Sequence, residues 1–122
     1  VLTADDAVGV AHAGWRGAAS GVVARLCREM TASGHPSRRA AIGPGISACC
    51  FEVGTEVAER FEGHISTTTW GSTSVDLSAV LSAQVDGLDT WESGACTHHD
   101  QGWFSHRVNG TKQRLAAVGW LW

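Results

Sequence analysis

The chain has 122 residues, 43% of them hydrophobic and 17% charged, with nine Lys and Arg against twelve Asp and Glu. This is the make-up of one ordinary globular domain, and a net charge of −3 with no Lys/Arg cluster leaves no electrostatic footprint for nucleic acid. The longest apolar stretch, Leu115–Trp122, is far shorter than a membrane span, and no basic segment followed by an apolar one marks a secretory signal.

In chain order, the Val-rich run Ala7–Ala11 predicts a buried strand that ends at His12 and turns through Ala13-Gly14-Trp15-Arg16-Gly17. From Ala18 to Thr31, Val22, Val23, Leu26, Cys27 and Met30 recur at helical spacing and predict an amphipathic helix, stopped by Gly34 and Pro36. Ala40–Ile42 reads as a strand and Gly43-Pro44-Gly45 opens a loop to Cys50. Thr55–Phe61 reads as a short helix and Ile65–Thr69 as a strand. Asp76 caps a second long helix carrying Leu77, Val80, Leu81, Gln84 and Leu88. The closing Arg114–Trp122 segment is expected as an apolar strand. Strands alternating with helices place the chain in the α/β class. Four cysteines, two of them adjacent, are too few for a secreted disulfide scaffold, so a reduced, cytoplasmic protein is expected. No C-x-x-C pair is present to build a zinc ribbon.

Three segments carry candidate chemistry. His12 sits at a strand end beside a glycine-rich turn, where an imidazole can ligate a metal or act as a base, and Arg16 can hold an anion such as phosphate. A histidine bonded to a backbone carbonyl, with Arg16 in a surface ion pair, accounts for the same residues. The Gly43–Glu52 loop can present the backbone of Gly43 and Gly45 to an anion, but it lacks the Walker lysine and any dinucleotide fingerprint. Cys96-Thr97-His98-His99-Asp100 followed by His106 is dense in ligand atoms, although a polar surface loop has the same composition. His98 and His99 face opposite sides of an extended chain, so each would pair more readily with His106 than with the other.

Together these segments resemble one family. Ala11-His12-Ala13-Gly14-Trp15-Arg16-Gly17 is similar to its most recognisable motif. Ile42-Gly43-Pro44 with Cys50-Phe51-Glu52-Val53-Gly54 resembles the second, and Cys96-Thr97 with Phe104-Ser105-His106-Arg107 and Arg114-Leu115-Ala116-Ala117 the third. This is the laccase-domain family, also called YfiH-like or multi-copper polyphenol oxidoreductase, whose members include bacterial purine nucleoside phosphorylases and a peptidoglycan editing factor.

The resemblance implies an α/β fold of two packed mixed β-sheets flanked by helices, and a zinc (alternatively copper) site of two histidines and one cysteine. It assigns His12 as a metal ligand. The cysteine that follows Thr-Ala-Asp in the family is replaced here by Asp6, and the remaining histidine lies in an upstream half. The family also places a further strand and turn between Thr-Ala-Asp and the His12 strand. Residues 1–122 are therefore expected to be a single domain with its N-terminal part missing and a gap at Asp5–Asp6. The implied activity is phosphorolysis of a purine nucleoside such as adenosine or inosine, with adenosine deamination as a side activity. His12 and Arg16 would be catalytic, and Arg16, Gly43, Gly45, His98, His99 and His106 would bind substrate. A monomer or homodimer would take a small-molecule substrate and phosphate, with no nucleic acid or membrane partner. The alternatives are a copper-dependent polyphenol oxidase and a non-catalytic binding module that has lost its cysteine ligand. Cys49, Cys50 and Cys96 are assigned to packing or the pocket wall. Trp103 and Phe104 are the aromatics expected to face the site.

Overall fold

The computed structural model describes residues 1–121. Its elements are β1 (Leu2–Thr3), β2 (Val8–Gly9), α1 (Trp15–Ala19), α2 (Val22–Ala32), β3 (Arg39–Ile42), α3 (Thr55–Ala58), β4 (Ile65–Thr67), β5 (Thr73–Val75), α4 (Leu77–Gln84), β6 (Asp89–Glu92) and α5 (His106–Asn109). One sheet runs β2-β1-β3-β6, and β4 and β5 form a second, two-stranded sheet. β1 is antiparallel to both β2 and β3, whereas β3 and β6 are parallel, with Arg39 opposite Asp89 and Ile42 opposite Glu92. The α/β class is the one read from the sequence and the two sheets are those the resemblance implies, though the second is a purely antiparallel pair. No helix among the described residues is long and apolar enough to cross a membrane.

Two cores hold the layers together. Leu2, Met30, Ala40 and Val85 form one, in which α2 lies on the larger sheet. A Cβ added to Gly9 would come within 2.8 Å of the Met30 sulfur, so glycine is what lets α2 approach β2 this closely. Ala18, Phe51, Val57, Phe61, Val75 and Val80 form the other, joined by Trp15, Ile46 and Val53. Helix α4 serves both, through Val80 on one side and the residues around Val85 on the other. Its start is the one expected, with the Asp76 carboxylate accepting the Ala79 N–H at 3.0 Å.

Three expectations need correction. The helix read over Ala18–Thr31 is two helices, because Gly21 takes a left-handed conformation (φ 69°) that breaks the hydrogen-bond ladder between α1 and α2. The α4 helix ends at Gln84, and Leu88 packs into the sheet-side core from beyond it. The segment from Arg114 to Leu121 is not a strand. Gly119 rests against Val8, and Arg114 donates to the nearby carbonyls of Thr111 and Gln113, local bonds that build no sheet ladder. Trp122, the last residue of that expected strand, lies outside the described residues.

The β1–β2 connection is a tight turn closed by an Ala4 N–H to Ala7 carbonyl bond of 2.9 Å. Its two carboxylates reach the β3 approach, Asp5 to Arg38 at 3.1 Å and Asp6 to His35 at 2.7 Å.

At the other end of the sheet, Glu92 accepts hydroxyl bonds from Ser78 and Ser82 of α4, which hold its carboxyl below the usual glutamate range. A depressed carboxyl pKa contributes stability above the ordinary value and loses it as pH falls through the lowered one. Thermal melts should therefore show the wild type losing stability on acidification below the normal glutamate range, with a shallower acid limb in Glu92→Gln. An unchanged acid limb in the variant would remove this role.

Candidate active site and cysteine–histidine cluster

Parallel pairing of β3 with β6 decides where the chemistry gathers. Both strands exit the same end of the sheet, and their pairing continues as a bridge between Gly45 and Cys96. The loop ends of parallel strands are where α/β proteins build sites, since side chains there project past the sheet while the strands fix their bases. The loop after β3 carries Cys49 and Cys50, and the loop after β6 carries Cys96 and His99. A helical turn with Cys50 and Phe51 N–H groups bonded to the Ser47 carbonyl swings both adjacent cysteines inward.

The result is a cluster. Cys49 Sγ lies 3.4 Å from Cys50 Sγ, and His99 Nδ1 lies 3.7 Å from Cys49 Sγ and 3.3 Å from Cys50 Sγ. With Cys96, these four ligand atoms fall within 4.8 Å of one another, the one such group of His, Cys, Asp and Glu side chains among the described residues. The His99 ring continues through Nε2 to Asp100 Oδ1 at 3.2 Å, and the other Asp100 oxygen accepts the Cys96 N–H at 2.6 Å. All four cysteines of the chain are unbridged.

The two buried sulfurs are tuned in opposite directions. Burial, then hydrogen bonding to Cys49 and Cys96, pushes the Cys50 thiol up to about 12. Burial also acts against ionisation of Cys96, but N–H groups of Ser47, His98 and His99 aimed at its sulfur outweigh this and bring it down to about 6. Cys50, His99 and Asp100 lie in the order of a thiol–imidazole–carboxylate relay. The four donor atoms of the cluster lie within 4.8 Å of one another, which is a set able to hold a metal ion.

Beside the cluster opens a cleft of about 330 Å³ lined by Cys50, Glu52, Val53, Gly54, Trp70, His98 and Arg107. Trp70 donates its indole N–H to Glu52 Oε2 at 2.6 Å, and its ring lies 5.9 Å from that of His98, tilted by 36°. Arg107 donates to the Glu52 carbonyl at 3.0 Å with its guanidinium over the Phe51 ring, 5.1 Å from the centroid.

The residues singled out from sequence are distributed unevenly around this cleft. His98 lines it, and His99 belongs to the cluster behind it. His106 opens α5 and is exposed. The Gly45 backbone is engaged in the bridge to the Cys96 strand, donating to Ala95 and accepting from Thr97. Gly43 precedes it with open space where a Cβ would be. Arg16 lies over the Trp15 ring, 4.3 Å from its centroid, and Trp15 packs on the Phe51 core. His12 is exposed, its ring folded back towards Gly14, and it is not in the cluster. A metal at His12 would thus need donors from outside that cluster. Trp103 and Phe104 are exposed and do not line the cleft, whose aromatic wall is Trp70. Trp70 and Arg107 were passed over in the sequence, although Arg107 stands in the third motif.

A mixed α/β domain that gathers thiols, imidazoles and a guanidinium at one end of a parallel strand pair is an enzyme-like scaffold with a metal-capable donor set. The whole of it, residues 1–122, matches the model of the multi-copper polyphenol oxidoreductase laccase family, and the chain belongs to that family. Among curated relatives it is 40% identical to the purine nucleoside phosphorylase ORF3 of Streptomyces griseus, over 99% of this chain and 54% of that protein. It is 37% identical to the purine nucleoside phosphorylase SCO2081 of Streptomyces coelicolor, over 99% of this chain and 55% of that protein. Its fold matches the crystal structure of the Bacillus licheniformis hypothetical protein YfiH with a TM-score of 0.69 and 26% identity, covering 82% of this chain and 44% of that one. The chain spans about half the length of the curated relatives it matches. The Streptomyces griseus alignment runs over 133 positions against 122 residues here, so that relative carries residues without a counterpart in this chain.

Proposed function

We propose that this domain is part of a metal-dependent purine nucleoside phosphorylase. In that reaction the glycosidic C1′–N bond breaks, a phosphate oxygen bonds to C1′, and the base leaves with the bonding electrons and takes a proton. The observation that carries the reading is the match to phosphorylases over 99% of the chain. The cleft supports it, since Trp70 and His98 offer ring faces for a planar base and Arg107 a fixed positive charge for an anion. In this reading Arg16 holds phosphate, Gly43 and Gly45 shape the approach to the cleft, and His98 and His106 flank the nucleoside, with His99 held behind them in the cluster. His12 contributes to a metal site, zinc rather than copper, whose further donors lie outside the described cluster. The Asp5–Asp6 turn is where we place the additional residues of the relatives.

The test is adenosine or inosine with phosphate and the metal-replete full-length protein, read as free base and pentose 1-phosphate. Base release that requires phosphate supports the proposal, whereas release without phosphate, or none, refutes it. Loss of a charge-assisted phosphate contact costs about 1.5–3 kcal/mol, so Arg16→Ala should raise the KM for phosphate about 10–100-fold. A rise confined to Arg107→Ala would transfer that role to the cleft.

A further inference from the structure

The cysteine–histidine cluster lies apart from His12, the metal ligand implied by motif, and its geometry can be compared with what a metal demands. A tetrahedral zinc ion with bonds of about 2.3 Å to sulfur and 2.0–2.1 Å to nitrogen spaces its ligands about 3.8 Å apart for two sulfurs and about 3.6 Å for sulfur and nitrogen. The observed separations are 3.4 Å between Cys49 and Cys50 and 3.3 and 3.7 Å from His99 Nδ1 to the two sulfurs. Before any ion is present, Cys49, Cys50 and His99 already stand near three edges of such a tetrahedron, and Cys96 Sγ lies within 4.8 Å of all three.

The surroundings are those of a built site. A ligating histidine ordinarily donates its second ring N–H to a carboxylate, which fixes the tautomer and aims the free lone pair at the metal. Asp100 takes that position against His99 Nε2, and its other oxygen holds the Cys96 backbone. One carboxylate therefore orients two of the four ligands. The Ser47 N–H points at Cys96 Sγ from 3.4 Å, the kind of bond that offsets excess charge on a bound thiolate. Cys50 and Cys96 are 5% and 2% exposed, so solvent has little access to those two sulfurs, while Cys49 is half-buried.

We infer that Cys49, Cys50, Cys96 and His99 form a second, closed Cys₃His site for Zn²⁺ that ties the loop after β3 to the loop after β6. Three thiol protons leave to solvent on binding, His99 binds neutral through Nδ1, and the occupied site carries a net charge of −1. With four protein ligands there is no open position for water, so the ion staples the cleft wall without taking part in turnover. Thiolate-rich, tetrahedral donors favour zinc over the hard cations.

The full chain, stripped with chelator under reducing conditions, is titrated with Zn²⁺ and with Co²⁺ as a spectroscopic substitute. One equivalent should bind with a near-ultraviolet thiolate-to-cobalt band, intense tetrahedral visible bands and a raised melting temperature, whatever further ion His12 takes. His12→Ala and Cys27→Ser should keep the thiolate band, which separates this site from any ion at His12 and from the proposed phosphorolysis. Cys96→Ser should lose it. His99 is largely exposed, so His99→Ala should stay folded by circular dichroism and lose the tetrahedral bands. Asp100→Asn should weaken zinc about 10–100-fold. A folded chain that gives no thiolate band, or a spectrum unchanged in both Cys96→Ser and His99→Ala, overturns the site. So does a Cys49–Cys50 disulfide that, once reduced, still yields protein unable to take up zinc.

Discussion

Replacing Phe51 with alanine should cost about 3–5 kcal/mol of unfolding free energy, the range for truncating a buried phenylalanine. Phe51 is 4% exposed and sits among Ala18, Val57, Phe61, Val75 and Val80. A domain has about 5–15 kcal/mol in total, so the loss is a large share of it. A second consequence separates Phe51 from its neighbours. Its ring face seats the Arg107 guanidinium, which also bonds the adjoining Glu52 carbonyl, so the variant should loosen the cleft as well as the core. Phe61→Ala empties the same core without touching Arg107, and should cost similar stability while leaving the cleft in place. Denaturant titration reads the first effect. Substrate KM, measured well below the melting temperature, reads the second. Equal KM values in the two variants would show that Phe51 acts on stability alone.

What the sequence made legible were elements whose signals are local. Asp76 three residues before an amide to be capped, and Leu26 and Met30 on one face of α2, are read within a single turn and stand as expected. β5 and β6 gave no such signal. Thr73-Ser74-Val75 and Asp89-Thr90-Trp91-Glu92 lack an apolar alternation and become strands only through their partners β4 and β3. Missing β6 had a direct consequence for the site. Cys49 and Cys50 are separated from Cys96 by more than forty residues with no metal spacing between them, and only the parallel β3–β6 pairing makes them neighbours. Once β6 is absent from a reading, packing is the reasonable role for each cysteine. Arg107 was overlooked for the same reason, because its seat on Phe51 is tertiary. The His12 motif was legible as a motif, but the order of residues along it says nothing about which donors stand opposite.

The break between α1 and α2 was also invisible locally, and it leads to the second large effect. Gly21 precedes α2 with no side chain to cap it, leaving the Val23 and Ala24 N–H groups without a local acceptor. Gln84, at the end of α4, supplies one from sixty residues away. Its Oε1 accepts from Val23 at 3.2 Å and Ala24 at 3.4 Å, while its Nε2 donates to the Ala18 carbonyl of α1 at 2.8 Å. One amide thus caps one helix and holds the end of another. Losing a cap costs about 0.5–2 kcal/mol and a net hydrogen bond about 1 kcal/mol more, so Gln84→Ala should lower stability by about 2 kcal/mol. Gln84→Glu tests the division of labour, because a carboxylate can still accept from α2 but cannot donate to Ala18. It should recover protection of the Val23 and Ala24 amides against hydrogen exchange without restoring full stability. Because α1 begins with Trp15 and Arg16, directly after the His12 turn, loosening its far end should also be felt at those residues. If Gln84→Ala leaves exchange at Val23 and Ala24 unchanged, the elbow is held by packing of α4 alone, and Gln84 has no part in placing Arg16.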